Sequence, residues 1–417
     1  MQDDTAAIKN AMLAGNRCGV KCNGATTKNA IVYFPPGTYL ISSTIALPFG
    51  TQVIGDANNR PKLLASASFI GLGVLSTDEY TGGGTGADGL DQEYYINTAN
   101  FYRQIRNIVI DVRGTAAAQK VTCLHYQVAQ ATSLQNVELV AGPNQSGMFA
   151  ENGSGGQISD VTFTGGNFGL YGGNQQFTAQ RLKFNGCTTG VQVIWDWGWV
   201  WKSVTMTNVG TGFRLLPEGS QGNIGSASVI DSSFTNVGTA IIIAPPSSAP
   251  GSGSTGLVLQ NVALSGVAKA VADSSGNTLL AGSAGRVDEW VLGPVYNGTA
   301  EAGGRRFSNG GRVGNYKRPS TLINPDGSWY ERPKPQYEDR PVSDFVHVKA
   351  YGATGDGTTD DTAAFQAAVY ASVGRILFVD AGSYVLTSTV TIPSKVKIVG
   401  ETWSQLVAYG PNFQSSL

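Results

Sequence analysis

Residues 135–141, QNVELVA, carry the pattern that decides the fold. These seven residues place two apolar side chains at alternate positions, which is the spacing of a short β-strand with one buried face. Similar units recur along the chain and often close on Asn or Gly. They are RNIVIDV from Arg106, SDVTFTG from Ser159, QRLKFNG from Gln180, KSVTMTN from Lys202, DSSFTNV from Asp231 and QNVALSG from Gln260.

The intervals between these units identify a solenoid. Equivalent positions are separated by 29, 24, 21, 22, 28 and 30 residues. A period of this size made of short β segments predicts stacked coils, and hence a right-handed parallel β-helix of the pectin-lyase-like, all-β class. A leucine-rich repeat would need its Leu/Asn consensus, which is missing, and a β-sandwich would alternate less regularly.

Composition excludes several classes of partner. The 417 residues carry a net charge of −1, and 14 % of them are charged. No polyelectrolyte field therefore favours nucleic acid or an anionic membrane. No apolar run approaches the roughly 18–20 residues that span a bilayer. We expect no nucleic-acid or membrane partner, and a monomer.

A second, longer repeat suggests two tandem β-helices. DDTAAIKNAM at Asp3 recurs as DDTAAFQAAV at Asp360, and IVYFPPGTYLISSTIALPFGTQVIGD from Ile31 recurs as ILFVDAGSYVLTSTVTIPSKVKIVGE from Ile376. We predict a first β-helix over 1–303 that lacks its initial strand, an ordered linker over 304–343, and the start of a second β-helix over 344–417. Both ends look cut, as in an incomplete gene model, and this would explain the missing signal peptide.

The four cysteines predict a disulfide and no metal site. Cys18 and Cys22 lie close together in CGVKC, whereas Cys123 and Cys187 are isolated. A zinc site would need two close pairs or histidine partners, so we expect a Cys18–Cys22 disulfide, no metal and no cofactor.

Three N-glycosylation sequons fit a secreted protein. They begin at Asn144, Asn152 and Asn297. Together with the disulfide they predict an extracellular location.

Residues 194–203, IWDWGWVWKS, hold four of the seven tryptophans at alternate positions. Such a strand is either an aromatic core ladder or an open platform for a flat ligand. Counting back from Val204 would point Lys202 inward, and because an unpaired buried charge is costly, the chain must turn between Trp201 and Val204. We expect a division, with Trp195 and Trp197 inside and Trp199 and Trp201 near a ligand.

Amides accompany this strand. GNQQFTAQ places Gln175, Gln176 and Gln180 one coil earlier. Amides beside aromatic rings suit carbohydrate recognition, because rings stack on sugar faces and amides bond to hydroxyls. A structural amide ladder inside the β-helix is the equally weighted alternative.

The chain resembles a known family. GDGTTDDTAAFQAAV followed by ILFVDAGSYVLTSTVTI is similar to the opening of pectate-lyase-superfamily β-helices. Two such copies, with GNQQFTAQRLKFNGC and WDWGWVWKS between them, resemble the fungal exo-β-1,3-glucanases (glucan 1,3-β-glucosidases) of glycoside hydrolase family 55. The resemblance covers essentially the whole chain and implies twin β-helices and inverting, glucose-releasing hydrolysis of β-1,3-glucan from chain ends.

The resemblance also implies roles for residues. An inverting glycosidase needs an acid for the leaving oxygen and a base-activated water. The family's general acid is a glutamate of the second β-helix that would match a region beyond Leu417, so this chain is expected to lack it and to be inactive alone. Gln176 and Ser203 match residues that position water, and Trp199, Trp201, Gln180 and Gln175 are candidates for binding glucan.

Two other functions stay open. One is a non-catalytic glycan-binding or adhesion β-helix, and the other is a polygalacturonase or pectate-lyase-like enzyme. Clustered Asp residues on adjacent coils, or a Lys/Arg lining that binds uronates, would favour the second of these functions. Neither feature is evident in the sequence.

Overall fold

The computed structural model describes residues 1–85, 91–219, 222–249, 252–296, 305–314, 317–401 and 403–414. The chain divides into two compact units, Met1–Lys334 and Pro335–Leu417. Two α-helices occur in the described residues, α1 (Thr5–Leu13) and α2 (Thr362–Ala371). Neither has the length and apolar character that crossing a membrane requires.

Unit 1 is built almost entirely of strands. They are β1 (Ala30–Phe34), β2 (Thr38–Ala46), β3 (Thr51–Gly55), β4 (Lys62–Ser76), β5 (Tyr80–Thr85), β6 (Asp91–Glu93), β7 (Gln104–Asp111), β8 (Thr122–His125), β9 (Ser133–Ala141), β10 (Ser146–Ala150), β11 (Gly156–Gly165), β12 (Phe168–Asn174), β13 (Phe177–Gln180), β14 (Lys183–Asn185), β15 (Thr189–Asp196), β16 (Trp199–Lys202), β17 (Thr205–Leu215), β18 (Ser226–Ile243), β19 (Gly256–Ser265), β20 (Lys269–Asp273), β21 (Thr278–Ala281), β22 (Arg286–Tyr296) and β23 (Arg305–Asn309). All except β5 and β6, which pair with each other, belong to one sheet system.

The predicted all-β class and parallel β-helix are confirmed. One coil consists of β13, β14 and β15, and each of these strands pairs in parallel with its counterparts in the coils before and after. The sequence repeats are in register, since Ile108 pairs with Val137, Val137 with Val161, and Ser232 with Val262. The coil interior is one continuous apolar cluster, in which Phe163 stacks on Phe184 with ring centroids 4.4 Å apart.

Left-handed residues form two of the three corners in the coils from Asp160 onward, and one in the two coils before them. A non-glycine residue there is strained by its Cβ, and Asn and Asp tolerate the conformation best because their short polar side chains bond locally. The corner between the first two strands of a coil, here called corner one, has φ between +49° and +59° in the seven coils from Asn107 to Asn261. Its residues are Asn107, Asn136, Asp160, Arg181, Ser203, Asp231 and Asn261.

Corner two explains why the repeat units so often close on Asn or Gly. Gly165, Gly186, Asn208, Asn236 and Gly266 occupy it, with φ from +53° to +69°. Neighbouring corner residues also bond to each other, as in Asn236 Nδ2 to Asn208 Oδ1 at 3.2 Å. The repeat therefore records the backbone geometry of the turn as well as the apolar face.

The first coils are closed by helix α1 and a disulfide. The structure joins Cys18 to Cys22, and Cys18 packs in a small cluster with Phe49 and Tyr95. Beside them Arg103 is fully buried, with its guanidinium over the Tyr95 ring at 4.8 Å. Arg103 donates to the carbonyls of Leu47 and Thr77 at 3.0 and 3.1 Å, among other acceptors. Buried backbone carbonyls thus satisfy this charge.

Unit 2 consists of helix α2 and two small parallel sheets. One holds β24 (Phe345–His347), β26 (Ile376–Val379) and β28 (Lys397–Gly400), and the other holds β25 (Asp356–Asp360), β27 (Gly382–Leu386) and β29 (Ser404–Ala408). Its core contains Phe365 of α2 and Tyr384 of β27.

The long sequence repeat is also a structural repeat. In unit 1 the Asp3 carboxylate accepts hydrogen bonds from the Thr5 backbone amide at 2.9 Å and from the Ser42 hydroxyl at 2.5 Å. In unit 2 the equivalent Asp360 accepts from the Thr362 amide at 3.0 Å and from the Thr387 hydroxyl at 2.7 Å. Each aspartate thus ties the start of a helix to the strand beside it.

The domain boundaries stay predictions. The boundary at 303/304 lies outside the described residues, and backbone contacts divide the chain at Lys334/Pro335. Residues 318–334 belong to unit 1.

Candidate functional site

The tryptophan strand is not divided as expected, although Trp195 is buried as predicted. Trp199 and Trp201 are 1 % and 0 % exposed, and their rings stack with centroids 5.0 Å apart in the core. Trp195 is also buried, whereas Trp197 is 63 % exposed. The expectation that Trp199 and Trp201 face a ligand is therefore wrong in this structure, and Trp197 is the tryptophan that reaches solvent.

The reason is a corner that the alternation hides. Strand β15 ends at Asp196 and β16 begins at Trp199, so residues 197–198 form the third corner of the coil. Alternation restarts after this corner, which turns Trp199 and Trp201 inward. The turn expected between Trp201 and Val204 is present, because Ser203 is left-handed with φ +56°.

The third corner is held rigidly at this coil. The Trp197 and Gly198 amides donate to the Gln175 carbonyl at 2.8 and 3.2 Å. On the next coil the Gly225 amide donates to the Asp196 carbonyl at 3.1 Å. A Cβ on Gly225 would lie 2.4 Å from the Trp197 carbonyl oxygen, so only glycine permits this approach. We name residues 175–176 and 197–198 the Trp197 corner.

Asp196 anchors this corner from below. Its side chain is 3 % exposed, and Oδ1 accepts from the Gly225 and Ser226 amides at 2.8 and 3.2 Å. Oδ2 has no hydrogen-bond partner among the described residues. Burial raises the pKa of Asp196 to about 7, against the lowering effect of the two amides.

The predicted amides occupy two different places. Gln175 is half-buried and Gln176 exposed at the Trp197 corner, one coil before Trp197. Gln180 is half-buried at the end of β13, where it pairs in register with Lys202 and precedes corner one. Gln175 and Gln176 therefore lie on the coil next to that of Trp197, whereas Gln180 lies near Ser203 at corner one.

Ser203 lies beneath a segment that crosses corner one. Its hydroxyl donates to Glu331 Oε1 at 2.5 Å. Glu331 Oε2 also lies 3.0 Å from Lys202 Nζ and 3.3 Å from Arg181 Nη1. The role of Ser203 in positioning water stays a prediction, but its hydroxyl hydrogen is already donated to the Glu331 carboxylate.

The covering segment, residues 318–334, is here called the strap. Arg318 pairs with the buried Asp231 at 2.5 Å, and the Trp329 amide donates to the same carboxylate at 2.9 Å. At its end, the Lys334 carbonyl accepts from Gln135 Nε2 at 3.3 Å. The strap thus crosses several coils and matches the charges of corner one.

Glu331→Gln is expected to loosen the strap without unfolding the β-helix. The substitution removes two ion pairs whose side chains are 17–22 % exposed, so the local cost should be about 1–2 kcal/mol. Chymotrypsin should then cut faster near Trp329. Glu138→Gln, which removes the more exposed 3.1 Å pair with Arg60, is the matched control. Equal cleavage rates for Glu331→Gln and the parent chain would contradict this role.

A second polar cluster lies on the outward face of β8 and β10, with Tyr80 of β5 stacked on it. Ring centroids of Tyr80 and His125 are 5.8 Å apart, and those of His125 and Phe149 are 5.3 Å apart. Glu151 accepts from the Tyr80 hydroxyl, and its Oε2 lies 3.1 Å from His125 Nε2. His125 Nδ1 lies 3.0 Å from the Ser76 hydroxyl oxygen. Because these rings pack against one another, they serve mainly to cover the outer face of the sheet.

Two carboxylates of unit 1 with strongly raised pKa values are buried. Besides Asp196, burial raises the pKa of Asp78 to about 8, with Arg103 opposing the shift. At 1 % and 3 % exposure neither reaches a substrate. Among the described residues, no three His, Cys, Asp or Glu side chains come together as a metal site.

The glycosylation candidates differ in accessibility. Asn144 is exposed and Asn152 is half-buried. Asn297 lies outside the described residues.

Two parts of this surface escaped the sequence analysis. Trp197 was missed because period-two counting ignores corners, although the adjacent Gly198 signals a turn. The strap was expected to be a linker, and its alternating charges were the available signal for pairing with corner one.

Similarity to known proteins covers nearly the whole chain. A protein named non-secreted LysM effector LysM19 from Penicillium expansum is 40 % identical over 99 % of this chain and 33 % of its own length. A glucan 1,3-beta-glucosidase from Cochliobolus carbonum is 37 % identical over 99 % of this chain and 52 % of its own length. A probable glucan endo-1,3-beta-glucosidase from Arthroderma benhamiae is 34 % identical over 99 % of this chain and 57 % of its own length.

The chain thus spans from about a third to somewhat over half of these relatives. The family model described as rhamnogalacturonase A/epimerase, pectate lyase-like matches residues 1–214 and 345–416. The two matched segments coincide with most of the β-helix of unit 1 and with the strands of unit 2. The chain therefore belongs to the rhamnogalacturonase A/epimerase, pectate-lyase-like family.

Proposed function

We propose that the protein containing this chain is a glycoside hydrolase that cleaves β-1,3-glucan from chain ends with inversion and releases glucose. One observation carries the proposal: two relatives named for β-1,3-glucan cleavage are 34 % and 37 % identical over 99 % of the chain. The exposed Trp197 next to Gln175 and Gln176 supports a carbohydrate ligand, because indoles stack on the apolar face of a sugar ring and amides bond to its hydroxyls.

Inversion requires an acid at the leaving oxygen and a base that activates water on the opposite face. Three partly exposed carboxylates of unit 1 are already engaged. Glu331 pairs with Lys202 and Arg181, Glu218 with Arg214, and Glu151 with Tyr80 and His125. This supports a division of labour in which unit 1 binds glucan and positions water, and the leaving-group acid comes from elsewhere in the protein.

A non-catalytic glycan-binding role is the second candidate. The relatives from Penicillium expansum named LysM effectors are 40 % and 38 % identical over 99 % and 100 % of this chain. Their names describe effectors and not hydrolases. A β-helix that binds glucan without cleaving it would serve such a role.

We further propose that the protein is secreted, N-glycosylated and monomeric, and that it acts on cell-wall glucan without nucleic-acid or membrane partners. The Cys18–Cys22 disulfide and the exposed sequon at Asn144 support the oxidising compartment. A loss of apparent mass on treatment with a peptide N-glycosidase that is smaller in Asn144→Gln than in the parent protein would test the site.

Hydrolysis is tested with the longest natural polypeptide that contains this chain. Incubation with laminarin should release glucose, and proton NMR of the first product should show the α-anomer, as inversion at a β-linkage demands. Polygalacturonate should not be cleaved. Retained laminarin binding with no glucose release would favour the non-catalytic role, and cleavage of polygalacturonate would overturn the glucanase assignment.

A further inference from the structure

Trp197 stands apart from every other tryptophan of its strand. The other three indoles are buried, whereas the Trp197 side chain is 63 % exposed. An indole held at the surface is available to stack on the apolar face of a ligand. This makes its surroundings informative about the ligand.

The backbone beneath Trp197 is fixed on both sides. The coil before holds its amide through the Gln175 carbonyl at 2.8 Å, and the coil after holds Asp196 through two amides at 2.8 and 3.2 Å. The anchoring carboxylate is itself 3 % exposed. An aromatic ring on such a turn loses little conformational freedom when a ligand stacks on it, which favours binding.

The corner is also short. Residues 175–176 and 197–198 are two-residue connections between strands, and Trp197 projects from the second of them with 63 % of its surface exposed. A chain-like ligand can therefore lie against the indole.

The chemistry of the corner selects a neutral ligand. The hydrogen-bond partners described for residues 175–176 and 197–198 are backbone groups and the Ser226 hydroxyl, none of them charged. Gln176 is exposed beside them and offers both a donor and an acceptor. A polyuronate would need cations here, whereas a sugar with hydroxyl groups and an apolar ring face matches an amide and an indole.

We propose that Trp197 is the stacking platform of a subsite for one glucosyl residue of β-1,3-glucan, with Gln176 bonding to its hydroxyls. The inference rests on the proposed function and adds the residues that contact the sugar in unit 1. It replaces the buried Trp199 and Trp201 in that role.

The test is binding of laminarihexaose to the 417-residue chain by isothermal titration calorimetry. Trp197→Ala should weaken the affinity about tenfold or more, as loss of an aromatic contact residue does, and Gln176→Ala should weaken it less. Trp197→Phe should restore part of the affinity. Tyr33→Ala removes another exposed aromatic ring, 52 % exposed on β1, and should leave binding unchanged.

The outcomes separate this inference from the proposed function. Unchanged affinity in Trp197→Ala, or no binding by the parent chain, would overturn the subsite. Trp197-dependent binding without glucose release by the longer polypeptide would sustain the subsite and contradict only the hydrolase proposal. A preference for polygalacturonate over laminarihexaose would overturn the subsite as assigned to a neutral glucan.

Discussion

Replacing Trp201 with alanine is expected to lower the free energy of unfolding of unit 1 by about 3–5 kcal/mol. The side chain is fully buried and lies between two aromatic rings, with centroids 5.0 Å from Trp199 and 5.1 Å from Phe213. Its removal leaves a cavity in a closely packed coil that stacked neighbours cannot fill without moving. Chemical denaturation followed by near-ultraviolet circular dichroism measures the loss.

Two variants check the physical reason. Trp197→Ala removes an indole that is 63 % exposed and should leave the denaturation midpoint nearly unchanged. Trp201→Phe keeps most of the ring and removes an indole N–H that has no hydrogen-bond partner in the described part of the chain, so it should cost much less than alanine. Similar losses for Trp197→Ala and Trp201→Ala would show that burial does not distinguish the two indoles.

Asp196→Asn is expected to raise the stability of unit 1 at pH 8 by on the order of 2–4 kcal/mol. The pKa of Asp196 is about 7 in the folded protein because the carboxyl is buried with Oδ2 unpartnered within the described residues. In the unfolded chain the pKa is about 3.9. Between these values the folded state holds a proton that the unfolded state has released, so stability falls as the pH rises from about 4 to about 7.

Urea unfolding at pH 4, 6 and 8 tests this dependence. The difference between Asp196→Asn and the parent chain should be small at pH 4 and should grow through pH 6 to pH 8. The contribution of Asp78, whose pKa is raised to about 8, is common to both proteins and cancels in the difference. Asp288→Asn, at a side chain that is 67 % exposed, serves as a surface control. A difference that does not change with pH would refute the assignment to Asp196.

The sequence by itself determined the coil. The spacing of units such as QNVELVA predicted strands that stack in register, and the structure pairs Val137 with Val161 as the intervals require. This succeeds because a parallel β-helix repeats one local geometry. Each coil needs inward apolar side chains at alternate positions and residues that tolerate left-handed corners, such as Asn136 and Gly165. Both requirements concern residues that are consecutive in the chain, so the sequence alone reveals them.

Tertiary structure alone decided which side chains reach the surface at the third corner and which are covered. The corner at Trp197–Gly198 depends on contacts with Gln175 and Gly225 in adjacent coils, residues 22 and 28 positions away, so alternation along one strand could not place it. The covering of Ser203 depends on Glu331, 128 residues later. Whether an indole is buried or a charge is paired depends on the residues packed against it, and here those residues are distant in the sequence.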